Sequence, residues 1–142
     1  MTVTWTAPAK VLTDRADPGW EGIWTLTHAA GRAALNLADA LPLIDALDVI
    51  YAATDLRDAQ DHLERADPGL PARCAAVDLG PLAPADGTPQ ARLIIDQLTT
   101  AALARVERMT DTDMSIDKVL TLGDAASALR RARDRVTGRR HD

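Results

Sequence analysis

The chain has no phenylalanine, one tyrosine and one cysteine among 142 residues, and only three glutamates and two lysines. Each shortage excludes something. A lone Cys74 cannot close an internal disulfide, so the chain does not belong with small disulfide-stapled scaffolds. No apolar run reaches the ~20 residues a membrane helix needs; the longest nearly uncharged stretch, residues 22–38, is broken by His28, Arg32 and Asn36. The opening MTVTWTAPAK lacks the apolar centre of a secretory signal, and residence in the cytoplasm is the expectation. Gly19, Gly22 and Gly31 form neither a phosphate loop nor a dinucleotide fingerprint. Ser115 and Ser127 stand outside any strand-to-helix elbow, and Cys74 sits among small apolar residues with no base nearby in sequence. No catalytic residue and no cofactor is expected.

What the chain has is alanine, aspartate and arginine: 27, 18 and 14 residues respectively, with a formal net charge of −5. Alanine lets helices approach closely but buries little apolar area per residue, so a modest core, or one helped by a second subunit, is expected. The length suits one domain.

Helical spacing dominates. Trp20, Ile23, Trp24, Thr27, Ala30, Ala34, Leu37 and Leu41 predict a first long helix, opened by Asp17 and Pro18 and weakened by three glycines. Pro42 ends it, and a second helix is predicted over 43–66. Its first half is apolar on nearly every side and is expected to be the most buried part of the protein, with 55–65 turning one face to solvent. The RADPG at 65–69, which repeats the one at 15–19, stops this helix; residues 70–77 have room for one or two turns.

Two prolines and two glycines make 78–88 the clearest loop. Thr88 and Pro89 open a third helix carrying Ala91, Ile94, Ile95, Leu98, Ala102, Val106 and Met109 on one face. After a polar break, a last helix from Ile116 either runs through Gly123 or restarts at Asp124. The prediction is an all-α fold, an antiparallel helical bundle of about four main helices: an extended N-terminal arm at 1–16, a first helical half at 17–77, the loop at 78–88 and a second half at 89–142.

Three groups of residues carry the candidate chemistry. Trp5, Trp20 and Trp24 all fall within the first 24 residues and need a surface to bury them, either this bundle or a partner. Between residues 39 and 67 eight acids face two arginines, whereas 130–142 holds six arginines, including Arg130, Arg131, Arg133 and Arg135, against two aspartates. That basic end either solvates a helix C-terminus or meets phosphate or an acidic partner. An oppositely charged contact between the two segments of paired subunits is a further option. Asp55, Asp58, Asp61 and His62 fall three or four apart on one helical face, so Asp58, Asp61 and His62 are weak candidates for holding a cation.

These features predict a non-enzymatic helical protein–protein interaction module, a homodimer compatible with antitoxin, immunity or adaptor roles. The alternative is a nucleic-acid-associated regulator presenting the arginines of its last helix. A weaker one is a small-ligand pocket lined by Trp24 and Tyr51.

Overall fold

Alanine occupies the places where long helices meet. Ala29, Ala30, Ala33 and Ala34 are fully buried on one helix, Ala52 and Ala59 on the next, Ala102 on another and Ala125, Ala128 and Ala132 on the last. Leu26, Leu37, Leu56, Leu63, Ile94, Ile95, Leu98, Leu122 and Leu129 fill the space between them. The computed structural model describes residues 5–82, 87–111 and 115–138; among these residues there are six helices and no strand. They are α1 (Thr6–Arg15), α2 (Trp20–Asp39), α3 (Leu43–Ala66), α4 (Leu70–Arg73), α5 (Thr88–Thr110) and α6 (Ile116–Thr137). The predicted helical bundle is the observed architecture.

The four long helices form a ring in the order α2, α3, α6, α5, with no substantial contact across either diagonal. Each tested pair runs antiparallel. Trp24 meets Glu64 and His28 meets Gln60 between α2 and α3; His62 meets Asp124 and Asp55 meets Arg131 between α3 and α6; Arg92 reaches Val136 and Asp96 reaches Arg133 between α5 and α6. Consequently α3 and α5 point the same way and their connection must travel the length of the bundle. It does so along α2: Cys74 lies against the Glu21 carbonyl at one end, and Asn36 donates to Asp78 (2.8 Å) and to the Gly80 carbonyl (3.0 Å) near the other.

The N-terminal segment departs from the extended arm that Pro8 suggested: Thr6–Arg15 is helical. Pro8 is the third residue of α1, within the first turn, where backbone N–H groups lack intrahelical partners anyway and a fixed φ near −65° suits the helix. Docking then secures it. Trp5 is completely buried and its Nε1 donates to the Gly80 carbonyl at 3.0 Å. Arg105 of α5 donates to the carbonyls of Thr13 (3.1 Å), Ala16 (3.2 Å), Asp17 (3.0 Å) and Ala101 (3.1 Å). One guanidinium thus satisfies acceptors that the end of α1 leaves open, and burial pulls its pKa below the ordinary arginine value.

Helix α2 begins at Trp20, two residues later than Pro18 implied. Gly22, which propensity alone counts as a weakness, is required: a Cβ there would lie 1.7 Å from the Asp17 carbonyl oxygen. The bounds of α3 are those predicted. Helix α4 is a single turn, and Cys74 lies just past it. Gly87, at φ 84°, precedes α5, so Thr88 is its first helical residue rather than its cap. Helix α6 passes through Gly123 unbroken, and at its start Ser115 Oγ accepts from the Lys118 backbone N–H at 3.4 Å. Residues 83–86 of the predicted loop, residues 112–114 of the polar break, and Arg139 and Arg140 of the basic end lie outside the described residues.

Candidate functional site

The bundle itself takes up two of the three tryptophans. Trp5 is held as described. Trp24 stacks on His28 with ring centroids 4.9 Å apart and planes 9° from parallel, and its Nε1 donates to Glu64 Oε1 at 3.1 Å. Burial lowers the His28 pKa, Arg32 and Arg57 adding to the effect, so the imidazole is neutral while Gln60 Nε2 lies 3.2 Å from its Nδ1. Trp20 is half-buried beside a polar cavity of about 440 Å³ that Asp17, Glu21, Asp67, Arg73 and Lys118 also line. Arg73 closes on Asp67 and Glu21 there. Its hydrogen bond holds the Asp67 carboxyl below the usual carboxylate range.

The basic and acidic segments meet within one chain. Arg131 places Nε 3.4 Å from Asp55 Oδ1 and Nη2 3.1 Å from Asp58 Oδ2, while Arg135 Nε lies 2.7 Å from Asp55 Oδ2. The Arg135 guanidinium also sits 5.2 Å from the centre of the Tyr51 ring. Arg133 pairs with Asp96 at 3.4 Å and Arg130 with Glu107 at 3.6 Å. Every one of the four candidate arginines therefore has a carboxylate of its own chain, and Asp55 and Asp58 serve as the seam between α3 and α6.

The same pairing governs the cation candidates. Asp61 lies 3.1 Å from Arg57, and His62 lies 3.8 Å from Asp58 with its Nδ1 3.3 Å from Arg65 Nη2. Among the described residues no three His, Cys, Asp or Glu side chains are grouped to hold a metal ion. Asp58, Asp61 and His62 share a face as their spacing required, but that face addresses arginines.

Two other candidates separate. Trp24 is buried against α3 near Glu64, whereas Tyr51 is exposed at the far end of α3, so no common pocket joins them. Cys74 Sγ lies 3.6 Å from the Glu21 carbonyl, and burial pushes the thiol above its ordinary pKa. It is a protonated thiol rather than an activated nucleophile.

The residues that stand out are ones the sequence reading placed in the core. Leu43 is 74% exposed, Ile44 81%, Tyr51 51% and Leu47 42%. In this half of α3 Ala46, Val49, Ala52 and Ala53 face inward. A helix offers the ring about one side, and here apolar residues fill the other side as well. Leu43, Leu47 and Ile50, at i, i+4 and i+7, make an outward stripe. The stripe runs into a shallow depression of about 380 Å³ between α2 and α3, lined by Leu35, Ile50, Ala53, Arg57 and Asp61. The signal was present in the sequence: a helix apolar all round, at the end of a ring too small to enclose it, must leave one side out.

Elsewhere a groove of about 630 Å³ separates α1 from α5, with Ala9, Ile94, Leu98 and Ala101 among its walls. No helix among the described residues is long and apolar enough to cross a membrane. Compared with protein families, curated proteins and solved structures, the chain matches none of them.

Proposed function

We propose that this chain is a non-enzymatic helical protein-interaction module that engages its partner through the solvent-facing first half of α3. The observation that carries the reading is the outward set Leu43, Ile44, Leu47 and Tyr51. Side chains in water add little to stability, yet together they form a patch on the order of a few hundred Å², the size at which a monomer's largest apolar patch is often a working surface. A tyrosine beside aliphatic side chains matches the make-up of interface centres. The interaction surface is thus assigned to residues other than Trp5 and Trp24, which this bundle consumes, and the arginines, whose charges are already answered by carboxylates. Those ion pairs also leave the nucleic-acid reading with little support, since releasing an arginine to phosphate would strand Asp55, Asp58 or Asp96.

The test is site-specific photocrosslinking in cells that produce the protein natively. A benzophenone amino acid replaces Ile44 in one variant and Leu120, exposed at the start of α6, in another. A discrete protein adduct from position 44 and none from position 120 is the expected result. Equal adducts from both positions, or none from either, would overturn the proposal.

A further inference from the structure

We infer that the α3 face takes a basic amphipathic helix of another protein, rather than a second copy of this chain; the inference rests on reading that face as a docking surface. Charge supplies the argument. Along the second half of α3, Asp55, Asp58, Asp61 and Glu64 each lie within ion-pair distance of an arginine. Around the first half, Asp39, Asp45 and Asp48 are exposed and have no ion pair among the described residues. Asp45 lies in the first turn of α3, where a carboxylate suits the positive end of the helix dipole. Asp39 has no such reason to be where it is. It is the last residue of α2, at the negative end of that helix's dipole, and no basic residue stands in that turn to offset it.

A symmetric dimer through this face would set the same surface of each copy against the other. Two chains of formal charge −5 would then be brought together, with the exposed Asp48 of each copy close to the contact. A cationic partner meets neither obstacle. The shape is that of a helix-in-groove site: an apolar stripe of Leu43, Leu47 and Ile50 opening onto a depression with Leu35 as its opposite wall. Leucine or isoleucine side chains at i, i+3, i+4 and i+7 of an incoming helix would cover the stripe, and lysines or arginines on its flanks would reach Asp48, one turn on from Ile44, and Asp39 at the end of α2.

The probes are three fluorescent peptides of about 18 residues, five helical turns, sharing one leucine stripe and differing only in whether the remaining positions are Lys, Gln or Glu. Fluorescence anisotropy with the full chain at low and high salt reads their affinities, and sedimentation velocity of the chain alone reads its mass. The expected result is a monomer that binds the lysine peptide about tenfold or more tighter than the glutamine peptide, a difference reduced by salt. I44D should abolish binding, and D39N/D48N should erase most of the preference for lysine while leaving Tm within a few degrees. Equal affinity for the three peptides, abolished by I44D, would overturn the basic partner but leave the docking surface standing. A dimer that I44D dissociates would show a second copy as the occupant. A monomer that binds none of the peptides, or binds them equally with and without I44D, would overturn the inference and the proposed surface together.

Discussion

The two halves of α3 belong to one helix yet handle their outer faces in opposite ways. In the second half the inner side carries Leu56, Ala59 and Leu63, and the outer side carries aspartates that lean onto Arg57, Arg131 and Arg135. Polar surface there fastens α3 to α6. In the first half the inner side is Ala46, Val49, Ala52 and Ala53, the outer side is Leu43, Ile44, Leu47 and Tyr51, and the nearby aspartates are fastened to nothing described. The difference separates two kinds of surface chemistry. Charges in the second half are spent on the fold, while apolar area in the first half is withheld from it.

The sharpest way to break this contrast is to truncate one leucine in each half. Leu56→Ala removes a completely buried side chain and should cost about 2–5 kcal/mol in chemical denaturation; Leu43→Ala should change stability by no more than about 0.5 kcal/mol. Comparable losses would mean that the first half is buried in solution. Next in size is Asp55→Ala, which takes the shared carboxylate from Arg131 and Arg135. Because the arginines stay partly solvated, the loss should be about 1 kcal/mol and should shrink in 1 M salt, whereas Asp48→Ala should do nothing measurable. A milder effect comes from pH. Burial holds His28 below its ordinary value of about 6.5, so its neutral form supports the fold. Stability should be full above pH 6.5 and fall as the pH drops below it, and His28→Gln should flatten a Tm profile between about pH 7 and 5. A profile unchanged by the substitution would refute the assignment. Smallest in stability, but largest in solubility, is Leu43→Ser with Ile44→Ser: Tm should hold while the concentration reached before precipitation rises.

Much of the fold was legible because helical periodicity and punctuation agree in this chain. Pro42 and the Asp67-Pro68-Gly69 turn bracket α3 at the residues where it begins and ends, and Ile94, Ile95, Leu98, Ala102 and Val106 mark the buried face of α5 as read. What was not legible depended on contacts distant in sequence. Nothing near residues 6–15 reveals that Gly80 and Arg105 will hold them as a helix, and Pro8 taken locally argues the other way. Gly22 reads as a defect until Asp17 is seen folded against it. The candidate surface was misread for a related reason: periodicity tells which residues are apolar but not how many sides of a helix the bundle can cover. The Arg-rich and Asp-rich segments were recognised as opposites, yet their meeting within one chain depends on α3 lying beside α6, an adjacency set by the ring and invisible to spacing.

The long crossing from α3 to α5 has a consequence for how the ring assembles. Only three residues separate α2 from α3 and five separate α5 from α6, so each pair can close as a hairpin from neighbours in sequence. The α3–α6 and α2–α5 contacts, by contrast, join residues tens of positions apart, and the closure entropy of that intervening chain must be met before they form. Among the described residues the α3–α6 contact is as extensive as the α2–α3 one. Docking of the two hairpins is therefore the step expected to set the folding rate: in stopped-flow refolding, loosening the 74–82 segment from its track along α2 should slow folding more than it speeds unfolding.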